Sequence, residues 1–173
     1  MKFFIITICN KNEDYDKFLT QKYSDLIKKF YTIEFININF KTKKINKNVY
    51  KKEYDKALTL IKPNSILVAL DEQGEHFKTV EFSKKLNLWI ENTSQIYFII
   101  GGPDGLSDDV KKRADYVISL SNLTFPHQLA KVILLEQIYI IVGGPDGISD
   151  DVKKRADHVI SLSNLTFPHQ LAK

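Results

Sequence analysis

The chain has a single cysteine, Cys9, so no disulfide can form within it and a reducing compartment is expected. Its apolar neighbours Ile6 and Ile8 mark Cys9 as a small buried hydrophobe at a strand end. Long hydrophobic runs are also missing. Residues 3–9, FFIITIC, are the sole candidate for a targeting segment, and they lead straight into the charged stretch NKNEDYDK with no small-residue cleavage site. No run approaches the length of a membrane span, so a cytoplasmic protein that does not use a membrane is expected. No charge of one sign dominates. The net charge of +4, from 25 basic and 21 acidic residues, permits contact with nucleic acid without demanding it. No His-Glu-x-x-His, nucleophile elbow or Cys/His pair occurs, so no metal is expected.

The composition is that of one globular domain: 173 residues, 43% hydrophobic and 27% charged, enough to bury a substantial core. Residues 2–9 read as a buried strand. Tyr15, Phe18, Leu19, Tyr23, Leu26, Ile27 and Phe30 then follow helical spacing. A second strand covers 33–40. A lysine-dense stretch follows, with Lys41, Lys43, Lys44, Lys47, Lys51, Lys52 and Lys56, and it is either a solvated surface or a grip for RNA phosphates. It overlaps a helix with Tyr50, Tyr54, Ala57, Leu58 and Ile61 on one face, ended by Pro63 and Asn64. The continuous run 65–70, SILVAL, suits a strand covered on both faces. A helix with Phe82, Leu86, Trp89 and Ile90 on one stripe follows, then a strand at 95–100, a short helix from Ser107 and a strand at 116–120. This alternation predicts an α/β fold with a mainly parallel sheet and helices on both faces. Ligands of such sheets sit at the carboxyl ends of the strands, where three loops would lie: 70–76, 101–106 and 120–126.

Residues 95–131 recur as 137–173, with 33 of 37 positions identical; the differences are Phe98/Ile140, Ile100/Val142, Leu106/Ile148 and Tyr116/His158. Residues 1–94 hold no copy, so this is a duplication and not a solenoid. Gln-Ile-Tyr occurs at both 95–97 and 137–139, and a slip between those words would create the repeat.

Several groups could carry chemistry. In GGPDG at 101–105, Gly101, Gly102 and Gly105 can take positive φ and let backbone approach a ligand. The loop is neither a Walker loop nor G-x-G-x-x-G. Asp104, Asp108 and Asp109 crowd it, which favours a neutral or cationic ligand over a triphosphate. Residues 119–127, SLSNLTFPH, offer hydroxyls and an amide where a helix begins. Thr124 could cap that helix, Pro126 fits its first turn, and His127 is either a site donor or a structural histidine. Asp71, Glu72 and Glu75 follow the third strand; a solvated loop is the plainer reading than a paired acid and base, and His76 stands beside them unsupported. The helix from Pro126 to about Tyr139 is apolar nearly all round, and a subunit interface is its expected cover.

Leu70-Asp71-x-x-Gly74 after a strand, GGPDG at 101–105 and SLSNLTFPH at 119–127 together resemble the ribosomal RNA large subunit methyltransferase H family of the SPOUT class, over about residues 1–139. The resemblance implies a deep trefoil knot, a homodimer, and methyl transfer from S-adenosylmethionine to N3 of a pseudouridine in 23S rRNA on the assembled ribosome. Carried over by motif, the cofactor contacts are Leu70, Gly101 and the run Leu120, Ser121, Asn122, Leu123, Thr124 and Phe125. Catalytic side chains are not assigned. Proteins of this family continue the last helix into a tail of the type Asn-His-Pro-Tyr-His, which serves the substrate side. Here IIVGGPDG follows Tyr139 instead, so an impaired methyltransferase and a non-catalytic knotted scaffold that still binds cofactor or partner both stand. An unrelated RNA-binding module would rest on the lysine cluster alone.

The first copy is expected to build the domain, 1–142, with 143–173 as an appendage. Val132, Ile133, Leu135 and Ile138 follow copy one, and burying four such side chains is worth roughly 6–12 kcal/mol at most. Copy two is followed only by 168–173, too short for a helix to hold alone. Residues 137–142 match a strand in sequence, yet they are expected to continue the helix to about Val142.

Overall fold

The computed structural model describes residues 1–9, 17–39, 51–102 and 105–142. Five strands and five helices alternate: β1 (Lys2–Cys9), α1 (Lys17–Ile27), β2 (Thr32–Asn39), α2 (Lys51–Thr59), β3 (Ile66–His76), α3 (Thr79–Asn92), β4 (Gln95–Ile100), α4 (Asp108–Arg113), β5 (Tyr116–Ser119) and α5 (His127–Val142). The sheet order is β2-β1-β4-β3-β5, and every pairing among these strands is parallel.

A parallel sheet with crossover helices buries both faces, which is why its strands read as unbroken apolar runs. Alternate residues sort onto two cores. Phe3 and Ile5 of β1, Val68 and Leu70 of β3, and Ile96, Phe98 and Ile100 of β4 meet α1, α3 and α5. Phe4, Ile6 and Ile8, with Leu67, Ala69, Tyr97 and Ile99, meet Tyr54 and Ala57 of α2 and Val110 of α4. The stripe of α3 is buried as expected at Phe82, Leu86 and Trp89. The α1 stripe is shorter than its spacing suggested: Tyr23 and Ile27 are buried, while Phe18 and Phe30 at its ends are exposed. Turn bonds from Leu60 to Ala57 and from Ile61 to Leu58 close α2 ahead of Pro63, and Asn64 takes φ 59°. Lys51, Lys52 and Lys56 are exposed on α2. Tyr15, Tyr50, Lys41, Lys43, Lys44 and Lys47 lie outside the described residues, as do residues 143–173, so the expected appendage is not described. The side chain of Cys9 also falls outside what is described.

The last helix changes one expectation. α5 packs mainly on α1, with further contacts to β1 and β4. Seven successive residues, Val132 to Ile138, are buried within the single chain. These seven positions therefore find cover inside the chain, while Leu129 and Tyr139 to Val142 stay partly exposed. Two of the seven are polar. Thr79 Oγ1 donates to Gln137 Oε1 at 3.2 Å, and Gln137 Nε2 donates to Glu136 Oε2 at 2.9 Å. One amide therefore satisfies part of a buried carboxyl.

Burial pushes the Glu136 carboxyl up to about 7, against the lesser opposing effect of the Gln137 hydrogen bond. Burial, reinforced by Glu136 and Tyr139, holds the Tyr23 phenol up at about 12. Between the ordinary carboxyl value and about 7, the folded chain keeps a proton that the unfolded chain releases. Stability therefore falls as pH rises through that window and levels off above it. Glu136→Gln is expected to raise stability by about 2 kcal/mol near pH 8 and to change it little near pH 4.5. Thermal melts followed by circular dichroism at the two pH values check this; equal effects at both would refute a buried neutral carboxyl.

Candidate functional site

Parallel strands end together, and here the carboxyl ends of β3, β4 and β5 enclose a cavity of about 1030 Å³. Leu70, Gly101, Leu120, Ser121, Leu123, Thr124 and Phe125 all line it. Asn122 is exposed and is not part of the lining, so the run 120–125 contributes every residue but that one. Asp71, Glu72, Asp108, Lys111 and His127 supply the ionisable groups of the wall.

Gly102 and Gly105 meet across the 101–105 loop, with Gly105 N donating to Gly102 O at 3.0 Å. Among the described glycines only Gly105 takes positive φ, at 74°. Gly101 is needed for another reason. A Cβ there would lie 2.6 Å from Gly105 C and 2.9 Å from Leu106 N, so the missing side chain lets the loop close on itself. The expected unusual φ at Gly101 is thus corrected: backbone, not dihedral freedom, excludes a side chain. The Tyr54 hydroxyl of α2 donates to Gly105 O, and buried Leu106 anchors the loop in the second core. Ser107 caps α4 by accepting from Val110 N at 3.4 Å, and Asp108 and Asp109 complement the helix start.

The expected loop at 70–76 is instead an interrupted strand. Leu70 and Glu75 both register with Ile118, so residues 71–74 leave the ladder and β3 then resumes to His76. Gly74 permits this crossing, since a Cβ there would lie 2.5 Å from Ile118 C. Asp71 shapes the excursion, with Oδ1 accepting from Gln73 N at 3.1 Å. Its other oxygen, Oδ2, meets Lys111 Nζ at 2.8 Å, and the Asp71 side chain is only 7% exposed. The plain reading of Asp71 as a solvated acid was therefore incorrect. Glu72 and Glu75 are exposed, as that reading held, and Glu72 Oε2 accepts from Thr124 Oγ1 at 2.8 Å.

The hydroxyls of SLSNLTFPH fasten the loop. Ser119 Oγ donates to Ser121 O at 2.8 Å, and Ser121 Oγ accepts from Leu123 N at 3.0 Å. Thr124 reaches across to Glu72, and the Pro126 carbonyl accepts the first bond of α5, from Ala130 N at 3.0 Å. Leu70, Leu120, Leu123 and Phe125 give the cavity an apolar side beside its ionisable groups. Lys111 was missed in the sequence; it lies in a short polar helix, and no local signal marks its partner, Asp71, forty positions away.

The two loop glycines should respond differently to alanine. Gly101→Ala is expected to cost about 2–3 kcal/mol through overpacking against backbone. Gly105→Ala, with open space around its Cβ, should cost about 1 kcal/mol from its dihedral alone. Urea unfolding of both variants measures the difference; equal costs would contradict the close approach at Gly101.

Comparisons with known proteins agree with this architecture. The family model described as "Predicted SPOUT methyltransferase" matches residues 1–141 and, a second time, residues 140–173. The ribosomal RNA large subunit methyltransferase H of Clostridium acetobutylicum is 37% identical over 143 residues, spanning 79% of this chain and 90% of that protein. The protein of the same name from Ruminiclostridium cellulolyticum is 39% identical over 143 residues, with the same coverage. A SpoU methyltransferase of Streptomyces viridochromogenes, solved in complex with AdoMet, aligns with a TM-score of 0.43 and 13% identity over 79% of this chain and 57% of that one, a likeness too distant to add to the family match. The parallel sheet, the cavity at its carboxyl edge and a family match across residues 1–141 make this chain a member of the SPOUT methyltransferase family.

Proposed function

We propose that this chain binds S-adenosylmethionine in the cavity at the ends of β3, β4 and β5 and transfers its methyl group to N3 of a pseudouridine in 23S rRNA. One observation carries the reading: a single cavity collects seven of the eight residues singled out by motif, and pre-fastened loops form its walls. The size and the mixed wall suit a ligand with an apolar body and a few fixed polar groups. The charge balance suits it as well. Lys111 matches Asp71, which leaves Glu72 and Asp108 in excess on a wall that would face a cationic ligand.

The bound cofactor supplies an electrophilic methyl on sulfonium sulfur. Leu70, Leu120, Leu123 and Phe125 exclude water around the adenosyl group, and backbone groups of Gly101 and of residues 120–125 fix its polar edge. The chain's larger task is to orient the acceptor nitrogen towards the methyl, since holding two reactants in line removes much of the barrier. A second reading, cofactor binding without efficient turnover, is favoured by one feature: IIVGGPDG follows Tyr139 where the family resemblance implies a substrate-side tail.

Calorimetry is expected to show S-adenosylmethionine binding to the full chain. Methylation of ribosomes lacking the modification, mapped by mass spectrometry of 23S rRNA, is expected at N3 of one pseudouridine, more slowly than with the Clostridium acetobutylicum relative. Absence of binding would reject the reading. Binding with no methylation would reduce it to the scaffold alternative, and methylation elsewhere would correct the substrate. The homodimer belongs to the same proposal on the strength of the family resemblance. Sedimentation at micromolar concentration is expected to give twice the chain mass, and a monomer there would remove it.

A further inference from the structure

We propose that the Asp71–Lys111 ion pair is a positioning device for the cofactor wall, resting on the reading of this cavity as a S-adenosylmethionine site. The pair joins two walls that the chain keeps apart: Asp71 opens the excursion from β3, and Lys111 projects from α4 beyond the 101–105 loop. Nζ and Oδ2 are 2.8 Å apart, and both residues line the cavity.

The other oxygen of Asp71 holds the turn of the excursion through Gln73 N. One carboxylate therefore sets the shape of residues 71–73 and ties that shape to α4. Leu70, the cofactor contact on this wall, is its immediate neighbour in the chain. Beside it, Glu72 accepts from Thr124 and draws in the third wall. Two successive acidic residues thus bind the excursion to α4 and to the 120–125 loop. Of the two links, the Asp71 one is the rigid one, because its carboxylate is buried while Glu72 is exposed.

Stability alone is a poor account of such a pair. Taking two charges out of water offsets most of their attraction, and replacing both with neutral groups is often harmless to the fold. Removing one partner is different, since it leaves an uncompensated buried charge. A structural pair and a positioning pair therefore separate in a double variant. If the pair only stabilises, restoring neutrality restores everything. If it positions the wall, neutrality restores the fold but not the affinity.

The test uses the full chain with Lys111→Met, Asp71→Asn, the double variant Asp71→Asn/Lys111→Met, and Lys111→Arg. Thermal melts and calorimetric titration with S-adenosylmethionine are read on each. The single variants are expected to melt lower and to bind roughly tenfold more weakly. The double variant is expected to regain most of the melting temperature while its affinity stays roughly tenfold down. Lys111→Arg, which keeps the charge and reach, is expected to regain affinity as well. Wild-type affinity in the double variant, or in Lys111→Met, would overturn the positioning role and leave the cofactor reading standing. No binding by the unaltered chain would overturn the cofactor reading, and the positioning role with it.

Discussion

A parallel ladder sends the carboxyl end of every strand to one edge of the sheet, and the site of this protein depends on that constraint. Five parallel strands need crossover helices, the helices cover both faces, and the loops that follow the strands have one edge left on which to gather. The excursion after Leu70, the turn after Ile100 and the loop after Ser119 meet there. Their sequence separation is large, yet β3 lies between β4 and β5, so the three strand ends are neighbours.

The loops are then held by contacts within the chain. Gly74 and Gly101 admit backbone where a side chain would collide, with Ile118 in one case and with Gly105 in the other. Ser119, Ser121 and Thr124 spend hydroxyl groups on the loops themselves. Tyr54 reaches from α2 to the carbonyl of Gly105. A site assembled this way is shaped before any ligand arrives, so little binding energy is lost in ordering it.

The duplication gives a direct view of context overriding local sequence. Gln-Ile-Tyr forms the start of β4 at 95–97 and lies within α5 at 137–139. In the strand, Tyr97 stacks on Phe4 with ring centroids 4.4 Å apart. In the helix, Tyr139 sits 6.2 Å from the ring of Tyr23 on α1. The same three residues take either form because each form buries them against a different partner, and helix and strand propensities differ by far less than such burial contributes. Residues 137–142 follow ten residues of a helix that packs on α1, and the position beside β1 is filled by residues 95–100.

Much of this was legible in the chain. The apolar runs 2–9, 65–70 and 95–100, separated by helical stripes, specify a sheet buried on both faces, because period and composition act locally. The glycine loop and SLSNLTFPH marked two walls of the cavity, and the motif at Leu70 marked the third. The sequence misjudged what depends on contacts between distant residues. It offered Asp71 as a solvated acid, because nothing near it announces Lys111. It gave Gly101 a dihedral role, because only the folded loop shows Gly105 occupying the space of a Cβ. It did not show that Val132 to Ile138 of α5 are buried within the chain, because periodicity records how much of a helix is apolar and not what covers it. Local patterning determined the elements and their order; long-range packing decided which charges pair, which hydroxyls are spent and which of the two copies of Gln-Ile-Tyr becomes a strand.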